Sequence, residues 1–121
     1  MVGNGNWNSP SVWSTSATGG GGATVPGTGD VAFIQRGFTV TVTADAIVGD
    51  LNFSTQTTGN LGTLTIATGV TLTVNGETTL YNAVSANVSA NINGTGTLNT
   101  SYLNIGNYTN PTGSVEHILL Q

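Results

Sequence analysis

Thr39-Val40-Thr41-Val42-Thr43, Leu51-Asn52-Phe53, Leu64-Thr65-Ile66 and Leu72-Thr73-Val74 fall within residues 37–76 and repeat one pattern. Each alternates an apolar or β-branched residue with Thr or Asn, the period-two signature of a half-buried strand. Val40 and Val42 therefore face one way, and Thr39, Thr41 and Thr43 the other. No segment carries an apolar stripe at the 3.6-residue helical period, so helices do not organise the chain. Gly49-Asp50, Gly59-Asn60, Gly69 and Asn75-Gly76 punctuate the strands as turns.

Working outward, the chain divides into three zones within a single domain. Residues 1–28 are rich in Gly, Ser, Asn and Thr, and Trp7 and Trp13 are their only large aromatic side chains. Within them the glycines at 19–22 read as a flexible break and Pro26-Gly27 as a turn. Residues 29–106 hold the repeating strands, from Val31-Ala32-Phe33-Ile34 to Leu103-Asn104-Ile105. Residues 107–121 open on an Asn/Pro/Thr/Gly turn and close on Val115-Glu116-His117-Ile118-Leu119-Leu120.

Two architectures suit short strands with such turns. One is an antiparallel β-sandwich. The other is a β-solenoid of roughly 20 residues per coil, stacked coil on coil. Spacing of the apolar centres does not choose between them, but composition does. Only 5% of the 121 residues are charged, against about 25% in an average soluble domain. Thr, Asn and Gly replace the missing charges. Parallel in-register stacking tolerates that set, whereas like charges repeated every ~4.8 Å up a ladder would repel. The expected fold is an all-β, short right-handed parallel β-helix with Val40, Val42, Leu64, Ile66, Leu72 and Val74 inside.

Composition also bounds the function. A single Arg, no Lys and a net charge of −4 cannot neutralise a row of phosphates, which excludes nucleic acid as a partner. An anionic membrane surface finds no basic patch here, and no apolar run reaches the ~20 residues of a membrane span. There is no Cys, hence no disulfide framework or thiolate metal site. Met1-Val2 leads directly into Gly-Asn-Gly-Asn, which is not a signal peptide. A neutral surface rich in hydroxyls and amides suits an exported protein, and the numbered chain is then expected to be a mature form or an excised piece.

Gly5-Asn6-Trp7-Asn8, Trp13, Val25-Pro26-Gly27-Thr28-Gly29-Asp30-Val31-Ala32-Phe33-Ile34, Gly37 and Thr39-Val40-Thr41-Val42 together resemble the opening segment of secreted bacterial surface β-helix proteins. In those repeat-rich adhesins and autotransporter-like passengers a Trp pair precedes a Pro-Gly-x-Gly-Asp turn and the first coil. Ile92-Asn93-Gly94-Thr95-Gly96-Thr97-Leu98 is similar to one of their later coils. The resemblance spans about residues 3–106 and rests on turn and ladder residues. It implies a right-handed parallel β-helix, a cell-surface or extracellular setting and a structural or adhesive role, and it carries no catalytic residues. The chain is much shorter than such passengers, and residues 107–121 match no coil pattern.

Each candidate site has a structural counterpart. Trp7 and Trp13 could stack on a sugar ring of a surface polysaccharide, or seal the apolar end of the first coil; a solenoid end needs such a cap, and Trp buries a large area. Asp30, Asp45 and Asp50 could pair as acid and base or hold calcium. Their places beside Gly or Ala at turns suit backbone hydrogen bonding better. His117 is the only His and lacks a second ligand of its kind. No catalytic, cofactor or metal residues are expected. Asn-x-Ser/Thr sequons stand at Asn52, Asn87, Asn93, Asn99 and Asn107, about as many as this composition yields by chance. Thr pairs at 39/41/43, 63/65 and 71/73 form rows that could order water as an ice-binding face does, although 51–54 and 88–92 break the repeat.

The expectation is a non-catalytic extracellular structural protein, a subunit of a surface fibre or adhesive layer whose partners are copies of itself. Carbohydrate binding through Trp7 and Trp13 is the alternative. Val115, His117, Ile118, Leu119 and Leu120 are the expected assembly interface, because alternation cannot hide three consecutive apolar residues on one face. A strand added to a neighbour's open edge would satisfy both side chains and backbone.

Overall fold

In the computed structural model, residues 1–16, 18–53, 59–80 and 88–105 are described. They form nine strands: β1 (Gly5–Asn6), β2 (Val31–Ile34), β3 (Thr39–Val42), β4 (Ala46–Val48), β5 (Asp50–Phe53), β6 (Gly59–Ile66), β7 (Thr71–Leu80), β8 (Val88–Gly94) and β9 (Thr97–Ile105). One turn of 3-10 helix, Pro10–Val12, is the only helical element among the described residues.

Every pairing between these strands is parallel. One sheet runs β1-β3-β6-β8. In the second, β4 and β5 lie end to end along one edge of β7, β2 pairs with β5, and β9 lies along the other edge of β7. The antiparallel sandwich is thereby set aside. Strands adjacent in sequence do not fold back into hairpins; each passes to a different strand stack and pairs with a distant successor. In the first sheet Val40 pairs with Leu64 and Leu64 with Ile92. In the second, Ala46 pairs with Leu72 and Leu72 with Leu98. Partners in these two series lie 24 to 28 residues apart, more than the roughly 20 expected per coil.

Alternation decides what is inside. In β3 and β5 every second residue is buried. Val40, Val42, Leu64, Ile66, Leu72 and Val74 are all in the core, joined by Ala32, Ile34, Val48, Leu51 and Phe53 from the second sheet. Each fully buried side chain of this size contributes about 1.5–3 kcal/mol relative to exposure. Thr78 is the one buried polar residue among those described. It sits in register between Leu51 and Leu103, and its hydroxyl donates to Thr100 Oγ1 at 3.0 Å, which offsets the cost of burying it.

Turns stack as the strands do. Gly49 N–H donates to Gly27 O at 3.1 Å, and Gly76 N–H to Gly49 O at 2.8 Å. The Asn75-Gly76 turn is thus a bend within β7, marked by a register shift between Val74 and Glu77, and not a break between strands. Gly94 lies at φ +103°, where a Cβ would meet Ile66 O at 2.0 Å. Only Gly lets this corner approach the one beneath it.

The leading segment is more ordered than its composition suggests. β1 already pairs with β3. Gly22 N–H donates to Pro10 O at 2.9 Å and Ala23 N–H to Trp13 O at 3.1 Å. A Cβ at Gly21 would come 2.0 Å from Ser11 O. The glycine run thus serves a close backbone approach rather than a flexible break.

Candidate functional site

The acids come first, because enzymatic chemistry would need them free. Asp30 Oδ2 accepts the Gly27 N–H at 2.7 Å, Asp45 Oδ1 accepts Thr71 N–H at 2.8 Å, and Asp50 Oδ1 accepts Glu77 N–H at 2.8 Å. Two of the three reach one rung onward and satisfy a backbone donor at a corner, where the ladder cannot. Among the described residues no three His, Cys, Asp or Glu side chains come together to hold a metal ion.

Trp7 and Trp13 lie inside, at the first rung. Trp7 is fully buried and Trp13 nearly so. Their rings meet edge to face, with centroids 4.9 Å apart and planes at 70°, a favoured aromatic geometry. Trp13 Nε1 donates to Trp7 O at 2.7 Å, and Trp7 N–H donates to Thr41 O at 2.8 Å. Trp7 Nε1 has no hydrogen-bond partner among the described residues. Met1 and Val12 close over the same end of the core. Burial also lowers the pKa of the Met1 amino group below its ordinary value by desolvation. Of the two expectations for Trp7 and Trp13, an end cap and a sugar platform, burial of both rings agrees with the cap. Stacking on a sugar needs an open ring face, and reaching either ring would require the leading segment to lift.

One outer face carries polar ladders. Asn6 is in register with Thr41, Thr41 with Thr65, and Thr65 with Asn93. Beside that row run Thr39, Thr63 and Asn91. Asn4 Oδ1 accepts the Thr39 N–H at 2.6 Å, and the Asn6 amide donates to the Thr43 hydroxyl. Thr pairs therefore stack over two successive rungs, with Asn on the rungs at either side.

The end rungs carry what sequence reasoning missed. Large apolar side chains left exposed among the described residues are Val31, Phe33, Ile47, Tyr102 and Leu103. Four of these five belong to one strand stack, β2-β5-β7-β9, and sit only on its first and last strands. Val31 and Phe33 are 46% and 47% exposed, Leu103 44% and Tyr102 73%. In the columns of Val31, Phe33 and Tyr102 the inner strands hold Asp50, Asn52, Glu77 and Thr79, whereas Leu103 continues the inward column of Ala32, Leu51 and Thr78. A signal for β2 existed: Val31-Ala32-Phe33-Ile34 is apolar at four consecutive positions, so one pair had to face out.

Of the sequons, Asn52 is partly buried on β5, and Asn93 and Asn99 are exposed on β8 and β9. Asn87 and Asn107 lie outside the described residues, as do Val115, His117, Ile118, Leu119 and Leu120. No helix among the described residues is long and apolar enough to cross a membrane. No family model matches the chain, and neither a curated protein nor a solved structure does.

Proposed function

We propose that the chain is a non-catalytic, extracellular structural protein that self-associates through the edges of its strands, as a subunit of a surface fibre or adhesive layer. One observation carries the reading. Among the described residues, β8 and β9 have no partner on their outer edges, and beside those edges Ile92 and Leu98 are only partly buried and Leu103 is exposed. An open edge with apolar side chains templates further pairing unless something blocks it, and almost no charge is present to do so. The acids support the same reading, since Asp30, Asp45 and Asp50 are engaged with backbone N–H groups.

The architecture proposed is a right-handed parallel β-solenoid with an N-terminal Trp cap, as in the surface β-helix proteins that residues 3–106 resemble. Support comes from the regular succession of partners, Val40 to Leu64 to Ile92 and Ala46 to Leu72 to Leu98. The stacked corners at Gly27, Gly49 and Gly76 add to it. Sedimentation velocity of the whole chain over a wide concentration range tests the function. Growth of oligomers with concentration supports it, and a monomer at every concentration overturns it. Deleting 115–121 then asks whether that run joins subunits, in which case assembly is lost from a still-folded chain.

A second reading is favoured by the stacked Thr rows. Thr39 and Thr41 lie in register with Thr63 and Thr65, a grid of about 4.8 by 6.7 Å that can order water at an ice surface. Thermal hysteresis measured on the monomer tests it, and freezing indistinguishable from a neutral control protein removes it.

A further inference from the structure

We infer that the acceptor in this self-association is the free edge of β2 and that the donor is the outer edge of β9 from a second copy, giving head-to-tail chains of subunits. The inference rests on the self-association proposed above and names its two surfaces.

Apolar exposure is the first ground. In the β2-β5-β7-β9 stack Val31 and Phe33 face out on β2 and Tyr102 faces out on β9, in columns that hold Asp50, Asn52, Glu77 and Thr79 on the inner strands, while Leu103 ends the inward column of Ala32, Leu51 and Thr78. An isolated exposed apolar residue is ordinary, and Ile47 is one. Four of them confined to the end strands of a single stack, three facing out and Leu103 uncovered on the inner side, leave both ends with apolar surface to cover.

Register is the second ground. Within the stack Ala32 pairs with Leu51, Leu51 with Thr78 and Thr78 with Leu103. One more step of the same ladder sets Ala32 of the next copy against Leu103 and Val31 against Tyr102. Leu103, which faces the interior but lacks a further strand over it among those described, would then be covered as Leu51 is. Val31 and Tyr102 would bury each other's flanks.

Backbone is the third. Asp50 N–H donates to Asp30 O at 3.0 Å, and peptide groups alternate in direction along a strand. Ala32 and Ile34 therefore address β5, while the N–H and C=O groups of Val31 and Phe33 point to the other side. There they have no partner among the described residues. A groove of about 630 Å³ lies between β2 and the leading segment, lined by Met1, Trp13, Ala23, Pro26, Val31 and Phe33, so the edge is approachable.

The two surfaces differ, so the contact is heterologous and adds subunits without closing a pair.

Two variants test it. Phe33→Pro removes an N–H that β5 does not use, a position where Pro is tolerated in an edge strand. Leu103→Lys places a charge on the donor edge. Far-UV circular dichroism checks that each is folded, and the exposed-site variants Val31→Lys and Tyr102→Lys repeat the test if either is not. Under conditions where the unsubstituted chain forms an oligomer series, each variant alone is expected to sediment as a monomer. An equimolar mixture should form discrete dimers, because the Phe33→Pro chain keeps its β9 and the Leu103→Lys chain keeps its β2. Folded variants that still form the full series overturn this joint and leave the proposed function standing. Two monomeric variants whose mixture stays monomeric overturn the head-to-tail pairing as well. Should the unsubstituted chain never assemble, both proposals fall together.

Discussion

At the first rung, Trp7, Trp13, Val12 and Met1 pack over the end of the core and leave Trp7 with no exposed surface. At the last described rung, Ile92 and Leu98 are half covered, and Leu103 and Tyr102 are open to solvent. The same parallel ladder ends in two ways. Among the described residues, one end is sealed by a non-repetitive segment that supplies two large aromatics, and the other has no strand over it. A repeat cannot cover itself, so covering its end requires something outside the repeat, whether a cap or another subunit. That difference is why the proposed self-association is placed at the outer edge of β9 and the free edge of β2.

The sharpest way to break the comparison is truncation at each end. Trp7→Ala should cost about 3–5 kcal/mol of unfolding free energy, as expected for a fully buried aromatic. Leu103→Ala in the monomer should cost about 1 kcal/mol, since much of its area is already in water. Equal losses in urea titrations would mean that the last rung is as well covered as the first.

Next in size is the corner at Gly94. A Cβ there would strike Ile66 O, so Gly94→Ala should lower stability by about 1–3 kcal/mol. Gly20→Ala, which meets nothing within 4 Å, should be close to neutral. A thermal melt of the two variants side by side checks whether corner stacking continues into the last rung.

Asp50→Ala removes the acceptor for Glu77 N–H and should cost about 1–2 kcal/mol, with Asp50→Asn losing less because an oxygen remains. If both changes left stability untouched while a chemical activity disappeared, the structural assignment of the acids would be wrong. The smallest effect expected is a pH dependence at the sealed end. Burial lowers the folded-state pKa of the Met1 amino group from 8.0, so the unfolded chain binds more protons in that range. Stability should then fall slightly as pH drops from above 8.0 through the lowered pKa and level off below it. N-terminal acetylation should abolish the slope.

Much of the architecture was legible from short windows of sequence. Alternation at 39–43, 51–53, 64–66 and 72–74 placed the strands and named an inward set that is buried, and the scarcity of charge pointed to parallel stacking. These are local properties, because side-chain direction in a strand depends on position parity alone. Pairing is not local. Partners as distant in the chain as Val40 and Leu64, or Leu64 and Ile92, are brought together by turns whose lengths follow no single rule. The repeat length, the division into two sheets and the end-to-end placing of β4 and β5 on β7 therefore emerged only in three dimensions. The same holds for the site. That Trp7 and Trp13 are large and apolar was plain, but whether they would face a sugar or the core depended on how residues 1–28 dock. That Asp45 and Asp50 stand beside Ala or Gly where strands meet turns was plain too, yet the N–H groups they accept lie on the following rung. That Val31, Phe33, Tyr102 and Leu103 are left exposed became plain only when the ladder set β2 and β9 at opposite limits of one stack, since sequence order does not say which strand comes last beside which.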